Sequence, residues 1–354
     1  MKKHNFSAGP AILPREVIEG AAKAVLELDN TGLSLIEISH RSSEFKAIME
    51  EACLLSIKLL GLEKKGYKAI FLQGGASLQF LMTAYNLLEN KAGYINSGTW
   101  STKAIKEAKI IGEVIELASS KDQNFNYIPK GFEIPNDIDY LHLTTNNTIF
   151  GTQYKSLPDT EVPLVADMSS DIFSRSFDYS KLDMFYAGAQ KNMGPSGVTL
   201  VIIKESSLNK VNRVIPSMLN YEVQAKAESM FNTPPVFPVY TVLLNLRWIS
   251  NNGGLEGVEA QNDKKAALIY NEIDRNPLFE GFAHLDDRSN MNATFNLTDD
   301  KQAGVFDSLW NQANISGLKG HRSVGGYRAS IYNALPIESV QVLVDCMKEF
   351  EKKA

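Results

Sequence analysis

Residues 185–203 read FYAGAQKNMGPSGVTLVII, and the fold turns on how this stretch is divided. A short apolar strand, Met184-Phe185-Tyr186-Ala187, runs into small residues, then Gln190-Lys191, a Gly-Pro-Ser-Gly turn and a second apolar strand over Val198–Ile203. One lysine therefore stands at a strand end where Gly and Ala let backbone or ligand come close. An ammonium held there and partly cut off from water has its pKa pulled down, at full burial by up to about 3–5 pKa units. The neutral amine can attack a carbonyl carbon and form an imine, which is how reactive lysines act. The competing reading is a solvated lysine in a hairpin turn.

Upstream, Pro163-Leu164-Val165-Ala166-Asp167-Met168-Ser169-Ser170 is another buried-type strand, and it ends in an aspartate. Asp167 precedes Lys191 by about one crossover of an α/β sheet, and the strand ends of such sheets are where ligands collect. A carboxylate able to pair with a pyridinium nitrogen, together with an imine-forming lysine, is the pair that pyridoxal phosphate chemistry needs.

The flanking segments set this pair in an alternating pattern. Asn5–Pro14 is an extended arm rich in Gly and Pro, and Pro14 suits the first turn of a helix with an apolar stripe at Val17, Ala21, Val25 and Leu28. A loop carrying His40-Arg41 precedes a second amphipathic helix, Glu44–Leu60, closed by Gly61 as a C′ residue. The strand at 68–72 then leads through Gln73-Gly74-Gly75-Ala76-Ser77 into a helix ending near Leu88. Strand, glycines, hydroxyl and helix N-terminus suit a phosphate; a plain tight turn is the alternative. Strands follow at 93–96, 113–117 and 141–145, with Trp100 at a strand-to-helix loop where an indole can stack on an aromatic ligand or simply pack. Asn146-Asn147-Thr148 ends the last of these strands, with side chains suited to hydrogen-bonding a ligand.

Strands alternating with helices through residue 203 predict an α/β domain around a mostly parallel sheet. Beyond it, Pro234-Pro235 exposes Asn232 and Thr233 on a fixed loop. Helices from about Tyr240 and Leu255, strands at 292–297 and 329–332, a helix near 305–314 and another from Pro336 predict a smaller α+β domain. Its loop 320–328 gathers His321, Arg322 and Arg328.

Composition bounds the function. The chain has 354 residues, 44% hydrophobic and 22% charged, as expected of a globular protein of two domains. A net charge of −5 argues against general nucleic-acid binding. No apolar h-region follows the first residues and no run reaches membrane-spanning length, so neither a signal peptide nor a membrane is expected. Cys53 and Cys346 fall in helical patterns and read as reduced core thiols, which predicts a cytoplasmic location. The five histidines lack zinc-like spacing; His142 reads as a strand histidine, and no metal site is expected.

With those residues in view, the sequence resembles the phosphoserine aminotransferase family, of the aspartate-aminotransferase-like fold type I. The likeness spans NFSAGPAILP (5–14), HRSSEF (40–45), GGASLQF (74–80), ADMSS (166–170), YAGAQKNMGPSG (186–197), FNTPP (231–235) and HRSVGGYRASIYNALP (321–336). It implies a seven-stranded, mostly parallel sheet flanked by helices in a large cofactor domain, 15–255, with a smaller α+β domain from 1–14 plus 256–354. It also implies that Lys191 holds pyridoxal 5′-phosphate as an imine and shuttles the Cα proton, with Asp167 paired to the ring nitrogen. Trp100 would stack on the ring and Thr148 would lie near its phenolic oxygen. Ala76, Ser77 and Gln190 would hold the cofactor phosphate, joined by Asn232 and Thr233 of the neighbouring subunit in a homodimer. Arg328 would clamp the substrate carboxylate, and His40, Arg41, His321 and Arg322 the substrate phosphate.

The reaction so implied is ping-pong transfer between glutamate and 3-phosphohydroxypyruvate, giving 2-oxoglutarate and O-phospho-L-serine, with a phosphohydroxythreonine step of vitamin B6 synthesis as a second use. Charge supports the phosphate site: phosphoserine carries a carboxylate and a phosphate of roughly −1.5 to −2, and arginine forks suit both. Two positions depart from the family. Many members carry arginine where Ser77 stands, and others serine where Ala8 stands. The alternatives are a fold-type-I aminotransferase for a small unphosphorylated 2-oxo acid, a sulfur-removing lyase, or a non-catalytic relative. The lyase would need a loop cysteine, and the non-catalytic relative would be expected to lack Lys191 or Asp167.

Overall fold

Strands that read as near-continuous apolar runs must be covered on both faces, and the computed structural model, which describes residues 3–322 and 324–353, covers them with helices. Met1, Lys2, Ser323 and Ala354 lie outside the described residues; Ser323 belongs to the His-Arg loop and the first two to the N-terminal segment read above. In chain order come β1 (His4–Asn5), α1 (Arg15–Leu26), α2 (Ser43–Leu59), β2 (Tyr67–Leu72), α3 (Gly75–Leu87), β3 (Lys91–Asn96), α4 (Thr99–Ile111) and β4 (Glu113–Ser119). Then follow β5 (Leu141–Thr144), β6 (Leu164–Asp167), β7 (Met184–Gly188), β8 (Thr199–Lys204), α5 (Tyr221–Lys226), α6 (Val236–Asn251) and α7 (Gly254–Arg275). The chain closes with β9 (Phe279–Gly281), β10 (Asn292–Leu297), α8 (Ala303–Gln312), β11 (Ile315–Ser316), β12 (Tyr327–Ser330) and α9 (Ile337–Lys353).

The expected seven-stranded sheet is present, in the order β2-β8-β7-β6-β5-β3-β4. Only β8 runs against its neighbours; β7, β6, β5, β3 and β4 pair in parallel. Six of the seven strands therefore point the same way, and β2, β3, β5, β6 and β7 bring their carboxyl ends to one edge of the sheet. Alternation sorts the side chains between two cores. Leu164, Ala166, Phe185 and Ile202 pack against Phe45 and Met49 of α2 and Val242 and Leu246 of α6. Val165, Tyr186 and Val201 pack on the other face against Phe80 of α3 and Ile105 of α4.

Beyond the large sheet, β12, β10 and β9 form a small antiparallel sheet. Its aromatic centre includes Phe279, Phe295, Phe306 and Phe350, with Phe306 edge-on to Tyr327 at 5.0 Å. The N-terminal arm joins this half of the molecule: β1 pairs in parallel with β11 and Phe6 enters the same core. Gly61 does terminate α2, in left-handed geometry (φ +64°). Its N–H donates to Lys58 O and that of Leu62 to Ile57 O, the paired bonds of a Schellman motif.

Some elements differ from expectation. α6 begins at Val236 rather than near Tyr240. Pro238 lies within its first turn, where the backbone nitrogen has no intrahelical acceptor to lose. The six-residue α5 and the three-residue β9 carry too few positions to show a period. No helix among the described residues is long and apolar enough to cross a membrane.

Candidate active site

Lys191 lies in the turn between β7 and β8, closed by Ala189 N–H donating to Val198 O at 3.1 Å and Gly194 N–H donating to Ala189 O at 2.8 Å. Asn192 and Asn245 tie this turn down: the Asn192 amide donates to Ile172 O at 2.6 Å and the Asn245 amide to Met193 O at 3.1 Å. The lysine amine donates to Thr148 Oγ1 at 2.7 Å and lies 5.4 Å from the Trp100 ring centroid. Burial pulls the Lys191 pKa down to about 8; the Asp167 charge opposes the fall and Arg328 adds to it.

Asp167 ends β6, next to β7, with Tyr186 as its register partner. Two residues beyond Val165, it emerges on the face covered by α3 and α4, where Trp100 also lies. Its carboxylate is buried and accepts the Ser169 N–H at 2.9 Å. Burial raises its pKa, and the nearby Lys191 charge holds it back.

The remaining candidates fall into groups around this pair. Trp100 is in the first turn of α4 rather than in the loop before it, and its indole nitrogen is buried without a partner. Thr148 is buried, and its backbone oxygen accepts from Arg328 Nη1 at 3.4 Å. Arg328 comes from β12, so one strand of the small sheet reaches the edge of the large one. The arm closes over the lysine: a Cβ at Gly9 would meet Lys191 Cγ at 3.2 Å, and Ala11 N–H donates to Gln190 O at 2.9 Å. Gly74 (φ +91°) and Gly75 (φ +66°) start α3 in left-handed geometry, and no side chain caps that helix. Ala76 is half-buried and Ser77 exposed there.

His321, half-buried, faces a group of cations. Its pKa is lowered by burial, then by Arg328, Arg322 and Lys103. Arg322 is exposed. Asn232 and Thr233 are exposed beyond the end of β2, where the Gln73 amide donates to Thr233 O at 2.9 Å. His40 and Arg41 precede the N-cap of α2; Arg41 is exposed and His40 Nε2 is buried without a partner. No hydrogen bond or ion pair among the described residues joins His40, Arg41, Asn232 or Thr233 to Lys191.

Asn146 and Asn147 do not face a ligand as expected; their amides are consumed inside the fold. Asn146 donates to Ser170 Oγ and Asn292 Oδ1, both at 2.8 Å, and Asn147 donates to Ser97 O at 2.6 Å. Sequence reasoning also passed over Lys103, three residues after Trp100, and a clamp beneath the site. Buried Lys265 of α7 donates to Ile331 O at 2.9 Å and Tyr332 O at 2.6 Å, and burial lowers its pKa to about 7. Asn333 N–H in turn donates to Asn192 Oδ1 at 3.0 Å, next to the reactive lysine.

These residues fit a group with an anionic end, a cationic ring nitrogen and a carbonyl carbon. The uncapped N-terminus of α3 offers backbone N–H groups to an anion, and a Cβ built at Gly75 would meet nothing within 4 Å beyond its chain neighbours and the helix's own backbone. The buried Asp167 carboxylate calls for a cation, and Lys191 has an amine that is part neutral near neutral pH.

A strand-end amine so placed defines an enzyme of the aminotransferase kind, and the family model for class-V aminotransferases matches residues 3–343. A phosphoserine aminotransferase of Flavobacterium psychrophilum is 62% identical over the whole of both chains. Among solved structures, phosphoserine aminotransferase from Bacillus circulans subsp. alkalophilus superposes with a TM-score of 0.96 at 46% identity, covering 99% of each chain. The phosphoserine aminotransferase of Trichomonas vaginalis, solved with PLP bound, gives 0.92 at 36% identity, covering 98% of this chain and all of that one. The chain belongs to the class-V aminotransferase family, among its phosphoserine aminotransferases.

Proposed function

We propose that this chain transfers the amino group of L-glutamate to 3-phosphohydroxypyruvate, reversibly, giving O-phospho-L-serine and 2-oxoglutarate, with pyridoxal 5′-phosphate as cofactor. The observation that carries the reading is the Lys191 amine, depressed to about pH 8, bonded to Thr148 and set against Trp100 and Asp167. When bound, pyridoxal phosphate supplies a carbonyl that takes up and returns the amino group and a ring that draws electrons from the bond broken at Cα. Lys191 would hold that carbonyl carbon and, once free of it, would take the Cα proton and give it back, work suited to an amine whose pKa is close to the working pH. The Asp167 carboxylate would favour a protonated ring nitrogen. Trp100 would offer its indole face to the ring, and Thr148 its hydroxyl to the phenolic oxygen.

Ala76 and Ser77 at the N-terminus of α3, with Gln190 from the β7–β8 connection, would receive the cofactor phosphate. Asn232 and Thr233, exposed on their proline-fixed loop, reach the same phosphate in a second copy, so the active form is a homodimer with shared sites. Arg328 takes the substrate carboxylate, and His40, Arg41, His321 and Arg322 its phosphate. The separate core around the small sheet, which Phe6 joins, supports a division into 15–255 and 1–14 plus 256–354, with the site at the seam between them. The same chemistry serves a phosphohydroxythreonine precursor of vitamin B6, in the cytoplasm.

The alternative substrate, a small unphosphorylated 2-oxo acid, would leave this many cations unused. Two charged hydrogen bonds to a phosphate, at about 1.5–3 kcal/mol each, amount to a preference of at least about 100-fold. Glutamate-dependent amination of 3-phosphohydroxypyruvate against pyruvate measures it directly. Equal kcat/KM values would return the unphosphorylated substrate.

A further inference from the structure

Lys103 is the cation that this reading leaves without a task. It follows Trp100 by three residues on α4, so both side chains lie on one face of the helix. Its amine sits 4.6 Å from the Trp100 ring centroid, and the Lys191 amine sits 5.4 Å from the same centroid. The two distances bound the amine–amine separation at about 10 Å. From the other side of the cleft, Lys103 bears on His321 together with Arg322 and Arg328. It is exposed, and no carboxylate among the described residues pairs with it within ion-pair distance.

A bare cation beside like charges raises the energy of the empty site, and only an anion arriving there relieves it. The neighbouring helix supplies no such relief. Ser77, in the first turn of α3, is exposed and carries a neutral hydroxyl, so that turn brings no positive side chain to a phosphate bound at this mouth. The α3 and α4 side chains share one core, which sets position 77 and Lys103 on neighbouring helices above the same sheet edge.

We propose that Lys103 is a specificity-determining residue of the reaction: its ammonium contacts the substrate phosphate and adds a positive charge to those of His321, Arg322 and Arg328. The inference rests on the phosphorylated-substrate reading above. Lysine acts here as a point charge rather than a fork, so it favours the phosphate dianion over a carboxylate through charge more than through geometry.

The test compares wild type with K103M and K103R on O-phospho-L-serine, L-glutamate and L-alanine as amino donors. In K103M the KM for O-phospho-L-serine rises about tenfold, equivalent to about 1.4 kcal/mol, with kcat within twofold. The KM for L-alanine is unchanged and that for L-glutamate moves less than that for O-phospho-L-serine. K103R restores the phosphoserine KM to within about threefold. Calorimetric binding of inorganic phosphate to the holoenzyme weakens in K103M, a readout free of turnover. An unchanged phosphoserine KM, or an equal rise for alanine, overturns the assignment. If wild type itself uses alanine as well as phosphoserine, the phosphorylated-substrate reading fails first, whatever the variants do.

Discussion

Lys191 and Lys265 are both pulled below the ordinary lysine pKa by burial, and they do opposite things. Lys191 stands at the edge of the large sheet, with one neutral hydroxyl acceptor, a buried carboxylate nearby and an indole beside it. Lys265 is sealed in the seam between the cores, its amine spent on the carbonyls of Ile331 and Tyr332. Burial depresses both, to about 8 in Lys191 and about 7 in Lys265. The structural lysine is thus perturbed in the same direction as the reactive one, by the same cause. A depressed pKa marks desolvation; reactivity needs in addition an open side, a partner charge and donors left unused, and only Lys191 has them.

The sharpest way to break this contrast is to remove each amine in turn. K191A should lose the visible absorbance of bound cofactor and at least about 10³-fold in kcat, with its thermal midpoint close to wild type. Retained turnover would end the case for Lys191. K265M should do the reverse. It leaves the Ile331 carbonyl without its amine donor and takes one of two donors from Tyr332 O, which keeps the Leu335 N–H. At about 1–3 kcal/mol for the orphaned group, urea unfolding should show a loss of about 2 kcal/mol while the absorbance of the loaded enzyme persists. A K265M protein of normal stability that fails to bind cofactor would erase the distinction. The smallest effect concerns pH. The Lys191 amine is protonated below about 8 and neutral above it. Cofactor-free protein should therefore take up pyridoxal phosphate about tenfold faster per pH unit below that value and level off above it. Stopped-flow absorbance reads this directly, and a flat profile from pH 6 to 9 would remove the free-amine argument.

The same contrast explains what could be read in the chain. Lys191 was legible because its surroundings are local: an apolar strand, small residues and a turn, with Asp167 one crossover upstream. The parallel sheet was legible for the same reason, since β5, β6 and β7 are short apolar runs whose burial on both faces follows from composition. Lys265 was not. It shares a helix face with Val258, Asn262 and Ile269, yet by residue type it reads as a solvated position, and its acceptors come from a loop that only the tertiary fold brings near. Asn146 and Asn147 misled for a related reason. At a strand's carboxyl end, an amide that lines a ligand and one that stitches loops together look identical until the partners are known. The start of α6 was obscured by its prolines, which mark a loop in a sequence but are harmless in a helix's first turn.

The lone reversed strand, β8, has one more consequence. Because β7 and β8 are neighbours and the loop between them, 189–198, carries Lys191, the reactive amine is fastened at both ends to interior strands of the sheet. Freeing it would require unzipping a ladder between two buried strands, so the backbone amides at its root should be among the last to exchange with deuterated solvent, at a free energy near that of complete unfolding. The nucleophile is thus a fixed anvil, and any adjustment between the two substrates of a turnover falls to the rim.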